Sequence, residues 1–163
     1  IVYHKMHDFR RAVADFRKAL DFQPKNHVTW NYVGLCENNL GRSREAIIAY
    51  ERSLQIEPRF KEAHANLGQA YRDFGDRANA ELYFQKSIDT DSQYVHAYHL
   101  RGLLYYGCGE TRLALADFRR GCEADPSGGV VTQSCMQMAA VCLHALGLFS
   151  AATNEYTALL KLG

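Results

Sequence analysis

The sequence holds no apolar run approaching the ~18 residues that a membrane-spanning helix needs, so no transmembrane segment is expected. Charge of one sign is also missing. Lys and Arg number 19 and Asp and Glu 18, for a formal net charge of +1. That balance leaves no electrostatic footprint for nucleic acid. Locally, Arg10, Arg11, Arg17 and Lys18 alternate with Asp8, Asp15 and Asp21, the pattern of a solvated helix face.

Cysteine is present but unpaired in pattern. Cys36, Cys108, Cys122, Cys135 and Cys142 are odd in number and form no C-x-x-C pair. Disulfides are not expected, and a reducing compartment, cytoplasmic or nuclear, is favoured. The thiols read as small buried hydrophobes. Catalytic signatures are equally lacking. G-x-G-x-x-G, G-x-x-x-x-G-K-[ST], H-E-x-x-H and G-x-S-x-G are all absent, and no enzyme is expected. Asp117, Glu123 and Asp125 lie close in sequence and read as surface carboxylates. His96 and His99 share a helix face. No neighbouring Cys or carboxylate completes a ligand set around them, so neither metal nor cofactor is expected.

What the chain does hold is a repeat. The stretch 27–60, HVTWNYVGLCENNLGRSREAIIAYERSLQIEPRF, returns with its markers displaced by 34 residues. Gly34 answers to Gly68 and Gly102, and Gly41 to Gly75 and Gly109. Ala46 answers to Ala80 and Ala114, and Tyr50 to Phe84 and Phe118. All three prolines are in phase: Pro58 closes the unit, with Pro24 before it and, past Ser92, Pro126 after it. Small, aromatic and proline markers at one period signify a stacked repeat array. Each unit reads as an A helix of about 14 residues, a glycine turn, and a B helix of similar length. Gly41 and Gly75 suit left-handed C-caps. Ser43 and Asp76 suit N-caps of the following B helices. Gly34 and Gly68 sit mid-helix, where glycine implies close helix approach. With Ser92 in place of proline, that B helix is expected to run on slightly. His64 replaces Trp30 as a packing residue.

The pattern resembles the tetratricopeptide repeat (TPR), W-x2-L-G-x2-Y, then A-x3-F, then P. Trp30, Val33, Gly34, Ala46, Tyr50 and Pro58 carry the match, as do Leu67, Gly68, Tyr71, Ala80 and Phe84, then Gly102, Tyr105, Ala114, Phe118 and Pro126. The resemblance implies an all-α right-handed TPR superhelix, an α-solenoid of antiparallel helix pairs about 4.5 repeats long. The divisions are a partial repeat at 1–26, repeats at 27–60, 61–94 and 95–128, and a TPR-like repeat at 129–163 with about four extra residues in its connection. In that last unit Met136, Ala139, Ala140 and Leu143 take the first-helix markers, with Thr132 as N-cap. Tyr3 falls at a first-helix tyrosine, so the chain opens inside a repeat and a fragment of a longer protein is expected. No polar capping helix follows, which leaves Val141, Leu159 or Leu162 as sticky ends.

The resemblance also implies function. A helices of TPR arrays line a concave groove that binds other proteins. By register the groove residues are Asn31, Tyr32, Leu35, Asn38 and Asn39, then Glu62, Asn66, Gln69, Arg72 and Asp73. His96, His99, Leu100, Leu103 and Tyr106 follow, then Gln137, Met138, Val141 and His144. Amides, imidazoles and aromatics suit an extended peptide. The chaperone-tail carboxylate clamp is not matched: Asn31, Leu35, His96 and Leu100 stand where its lysines, asparagine and arginine belong, and only Asn66 agrees. The stretches 63–76 and 45–58 resemble the superhelices of O-linked N-acetylglucosamine transferase and the TPR subunit of the yeast general co-repressor. The chain is similar, too, to the TPR region of a large plant immune regulator and its animal relatives. The transferase's recurring asparagine is kept only at Asn66. These likenesses imply an adaptor in a regulatory complex, transcriptional or immune. The alternatives are a substrate-selecting arm of a glycosyltransferase and self-association through end repeats. Arg101 occupies a place that is apolar at Val33 and Leu67, so it is expected to pair with a carboxylate, Asp117 or Glu37.

Overall fold

The computed structural model describes residues 8–160; Tyr3 and Leu162 lie outside them. The described residues hold nine α-helices and no strand. They are α1 (Phe9–Phe22), α2 (His27–Asn39), α3 (Ser43–Ile56), α4 (Lys61–Phe74), α5 (Arg77–Thr90), α6 (Val95–Gly107), α7 (Thr111–Ala124), α8 (Val130–Ala145) and α9 (Phe149–Leu160). The chain divides into two compact units, residues 1–90 and 91–163. Within the first, each helix packs on the next from α1 to α5; within the second, from α6 to α9. None of these helices is long and apolar enough to cross a membrane.

Local chemistry sets the helix ends. The side chains of Asp8, Asn26 and Asp76 accept hydrogen bonds from the backbone N–H of Arg11, Thr29 and Asn79, at 3.3, 3.0 and 3.1 Å. These satisfy donors that an opening turn otherwise leaves unmatched. Between the helices of each pair the chain reverses through a glycine with φ of +74° at Gly41, +92° at Gly75, +77° at Gly109 and +75° at Gly147, a conformation that costs a side-chain-bearing residue.

Three expectations are corrected. Ser43 is the first residue of α3 and makes no cap; Arg42 precedes it without a side-chain cap bond. Thr132 is already inside α8, which runs 16 residues from Val130. The surplus residues of the last repeat thus extend a helix as well as a connection. Gly129 enters with extended backbone, and the Thr132 hydroxyl donates to Asp125 Oδ2 at 3.0 Å. Finally, α5 does not run on at Ser92. It ends at Thr90, as α3 ends at Ile56. The reason is a carboxylate before the proline position: Glu57, Asp91 and Asp125 accept from the backbone N–H of Arg59, Gln93 and Ser127 at 3.1, 2.9 and 3.0 Å. That turn forms with or without proline.

Glycine sets the spacing of each pair. A Cβ added to Gly34, Gly68 or Gly102 would lie 2.6 Å from Tyr50, 2.7 Å from Phe84 and 2.6 Å from Phe118, respectively. These three rings are fully buried, and each such burial contributes about 1.5–3 kcal/mol. Gly121 is a further contact of this kind. Its counterparts Ser53 and Ser87 donate to His27 O and Lys61 O, both at 2.8 Å. At Gly121 the Cys135 sulfur approaches to 2.9 Å of where a Cβ would stand, so α8 sits close against α7.

Buried charge is matched. Arg101 Nε and Nη2 donate to Asp117 Oδ2 and Oδ1, both at 2.7 Å, in a bidentate pair. Asp117 is therefore a core residue rather than a surface carboxylate, and of the two expected partners it is the one used. Burial alone would lower the Arg101 pKa, but the hydrogen bonds and charge of Asp117 reverse that and raise it. Glu37 is engaged elsewhere, by Arg17 Nη2 at 2.9 Å and Arg42 Nη1 at 3.2 Å.

Candidate functional site

The first helices of successive pairs lie side by side, α2 against α4 in the first unit and α6 against α8 in the second. The residues expected to bind a partner lie on these four helices. Many of them bind each other. Asn66 Nδ2 donates to Asn31 Oδ1 at 3.0 Å, and Asn38 Nδ2 to Asp73 Oδ2 at 3.0 Å. Asp73 Oδ1 also accepts from Arg72 Nε and Nη2 at 3.2 and 3.0 Å. In the second unit, His99 Nε2 and Ser134 Oγ are 2.9 Å apart. Each cross-helix contact joins residues 35 positions apart. They are polar straps between neighbouring A helices within each unit.

Burial sorts the remaining candidates. Asn31 is 7% exposed and Leu100 5%, so both are enclosed by the fold. Tyr32 is 39% exposed and stacks on Phe16, centroids 5.5 Å apart. Tyr106 is 37% exposed. Leu35, Glu62, Gln69, His96 and Val141 are half-buried, and Asn39, Gln137 and His144 are exposed. Asn39 Nδ2 donates back to Leu35 O at 2.7 Å, and His144 sits edge-on to Phe149. Leu103 and Met138 pack on the core of the second unit. Among these candidates one acceptor is left over: Asn38 Oδ1 is buried and has no hydrogen-bond partner.

Sequence reasoning did not find Ser134, nor the stacking of Phe16 on Tyr32 or the two ion pairs of Glu37. Ser134 was legible in principle, since 35 residues separate it from His99 as they separate Asn66 from Asn31. Phe16 itself stands 34 residues before Tyr50, at the aromatic marker of the repeat; its stacking and the Arg17–Glu37 pair follow from how α1 packs on α2.

Among the described residues no three His, Cys, Asp or Glu side chains gather as a metal site. The cysteines are free. Burial, the main cause, pushes the thiols of Cys36 and Cys122 up to about 11 and that of Cys135 to about 12, opposite to a reactive thiolate.

The paired histidines make the second unit sensitive to acid. His96 and His99 stack at 6.5 Å. Burial lowers both pKa values below 6.5, and at His99 the neighbouring His96 adds to it. With folded values below the unfolded one, the unfolded chain protonates first as pH falls. Stability of the second unit is therefore expected to decline as pH drops through 6.5, levelling off beneath the lower folded values. Denaturant melts from about pH 7.5 to about pH 5.5 check this. A His96→Asn, His99→Gln variant with the same pH slope as the native chain would overturn it.

The repeat geometry has known counterparts. A family model described as tetratricopeptide repeat matches residues 2–59, 39–95 and 65–129. Among solved structures, MamA superposes with a TM-score of 0.80 at 22% identity, covering 98% of this chain and 91% of that one. MamA 41-end from Desulfovibrio magneticus RS-1 gives 0.76 at 15% identity, covering 99% and 93%. TTC0263, a thermophilic TPR protein in Thermus thermophilus, gives 0.77 at 18%, covering 98% and 86%. At these identities the likeness is one of fold. No curated protein matches the chain at a significant level. The markers, the helix pairs and the family match together place this chain in the tetratricopeptide repeat family.

Proposed function

We propose that this chain is a protein-interaction module that holds a segment of another protein along the A-helix face, as a scaffold or adaptor. The observation that carries the reading is the exposed aromatic rings on A helices, Tyr32 on α2 and Tyr106 on α6. Each ring supplies a flat apolar contact to an extended segment. Preorganised helices lower the ordering cost of binding. The divisions 27–60, 61–94, 95–128 and 129–163 are the repeats of this reading. The finer assignment, an adaptor in a transcriptional or immune regulatory complex in the cytoplasm or nucleus, draws its support from the resemblance and from the free thiols. The glycosyltransferase reading draws less, because its asparagine ladder reduces to Asn66, and Asn66 is bonded to Asn31.

The test must avoid the straps, since removing Asn31, Asn66 or His99 loosens packing as well as any site. Tyr32→Ala with Tyr106→Ala removes exposed rings instead. Affinity capture followed by mass spectrometry is expected to recover a partner with the native chain and lose it with this variant, circular dichroism being unchanged. Capture of the same proteins by both would move binding off this face.

A further inference from the structure

In two repeats the marker ring is tied to the turn before it. Trp30 Nε1 donates to Pro24 O at 2.9 Å, and His64 Nε2 stands 2.9 Å from Pro58 O. The next repeat changes both members. Ser92 takes the place of the proline and Tyr98 the place of the ring. A phenol carries its polar atom at the tip of the ring and has no ring nitrogen. Tyr98 is 8% exposed, and its hydroxyl makes no hydrogen bond among the described residues. The exposed Ser92 makes none through its hydroxyl either. The turn closes without it, through Asp91 and the backbone N–H of Gln93.

Both residues line one crevice of about 290 Å³ within the second unit, together with Gln93, Arg120, Glu123 and Ala124. The cation of this crevice is also uncommitted. At its register in the first unit, Arg52 Nη1 donates to Gln55 Oε1 at 2.9 Å, and Lys86 Nζ lies 4.6 Å from the centroid of the Tyr83 ring. Arg120 makes neither contact and no ion pair among the described residues, although Glu123 follows three positions on in α7. A free serine hydroxyl therefore shares a crevice with a guanidinium, a phenol O–H and a carboxamide, each able to donate.

A phosphoryl group on a serine adds about −1.5 to −2 charges at pH 7 and three strong acceptor oxygens, the complement of that donor set. We propose that Ser92 is a phosphorylation site whose phosphate is held within the second unit by Arg120 and the Tyr98 hydroxyl. A kinase passes the γ-phosphoryl group of a nucleoside triphosphate to Ser92 Oγ. The bond to the departing nucleoside diphosphate breaks, and the hydroxyl proton goes to the kinase's base. The phosphate restores in this repeat the tie between turn and marker ring, and it adds a tie to α7. Asp91 is engaged by its own turn. Glu123 is the carboxylate that lines the crevice and opposes the phosphate, so the tie depends on the guanidinium. None of this rests on binding at the A-helix face.

The test treats the whole chain with ATP and a serine kinase that accepts acidic residues beside its target, since Asp89 and Asp91 precede Ser92. Mass spectrometry is expected to place the phosphate on Ser92. Thr90 is an internal control, because its hydroxyl is already donated to Lys86 O at 2.8 Å. A ³¹P NMR titration then reads the second ionisation of the phosphate. It is expected below that of the phosphorylated peptide 89–94, because a nearby guanidinium favours the dianion. Arg120→Gln should return it to the peptide's value. No phosphate on Ser92, or phosphate on Thr90 alone, would overturn the proposal. So would a phosphate that titrates as in the peptide, or one indifferent to Arg120→Gln.

Discussion

Asp117→Ala should destabilise the second unit by about 3–5 kcal/mol, the usual cost of stranding one partner of a buried ion pair. Arg101 is 6% exposed and Asp117 3%. Without Asp117 the guanidinium loses its bidentate carboxylate partner in a site shielded from water. The pair itself is not the source of the stability. In the first unit the same two positions hold Val33 and Ala49, packed together in an apolar cluster. The double variant Arg101→Leu with Asp117→Ala rebuilds that arrangement and should recover most of the loss. Urea unfolding of the two single variants and the double variant completes the cycle. A double variant as unstable as Asp117→Ala alone would show that lost packing, not stranded charge, sets the cost.

Gly68→Ala should destabilise the first unit by about 1–3 kcal/mol through overpacking, although alanine is the better helix former by up to ~1 kcal/mol. Steric contact wins here because nothing near the new methyl can yield. It would stand 2.7 Å from Phe84 Cδ1 and 3.1 Å from the Ala80 carbonyl oxygen. Phe84 is 0% exposed, so its ring has no room to retreat. Phe84→Leu trims the obstructing ring and should lessen the penalty of Gly68→Ala. Thermal unfolding of the pair of variants reads this coupling. An unchanged or raised melting temperature for Gly68→Ala would mean that α4 and α5 separate without cost.

The turn at Asp91 shows where pattern reading reaches its limit. A missing proline suggested a longer helix, yet a carboxylate one position earlier closes the turn in all three places. Thr132 fails similarly: its hydroxyl fits a cap by type, but the residue lies inside α8 and its bond goes back to Asp125 at the end of α7. The candidate binding residues divide along the same line. The period placed Asn31, Asn66, Asn38, Asp73 and His99 on A helices, but it carries no information on whether neighbouring A helices bond to each other.

The sequence alone determined the helix pairs, the glycine reversals at Gly41, Gly75 and Gly109, the close approach at Gly34, Gly68 and Gly102, and the need of Arg101 for a carboxylate. These depend on spacing, backbone freedom and burial of charge, all written in local pattern. Only the tertiary structure decided that Asp117 answers Arg101, that Asn31 is enclosed and strapped to Asn66, and that Ser92, Tyr98 and Arg120 line one crevice. Those outcomes depend on distances of a few ångströms between side chains far apart in sequence, and packing, not period, fixes such distances.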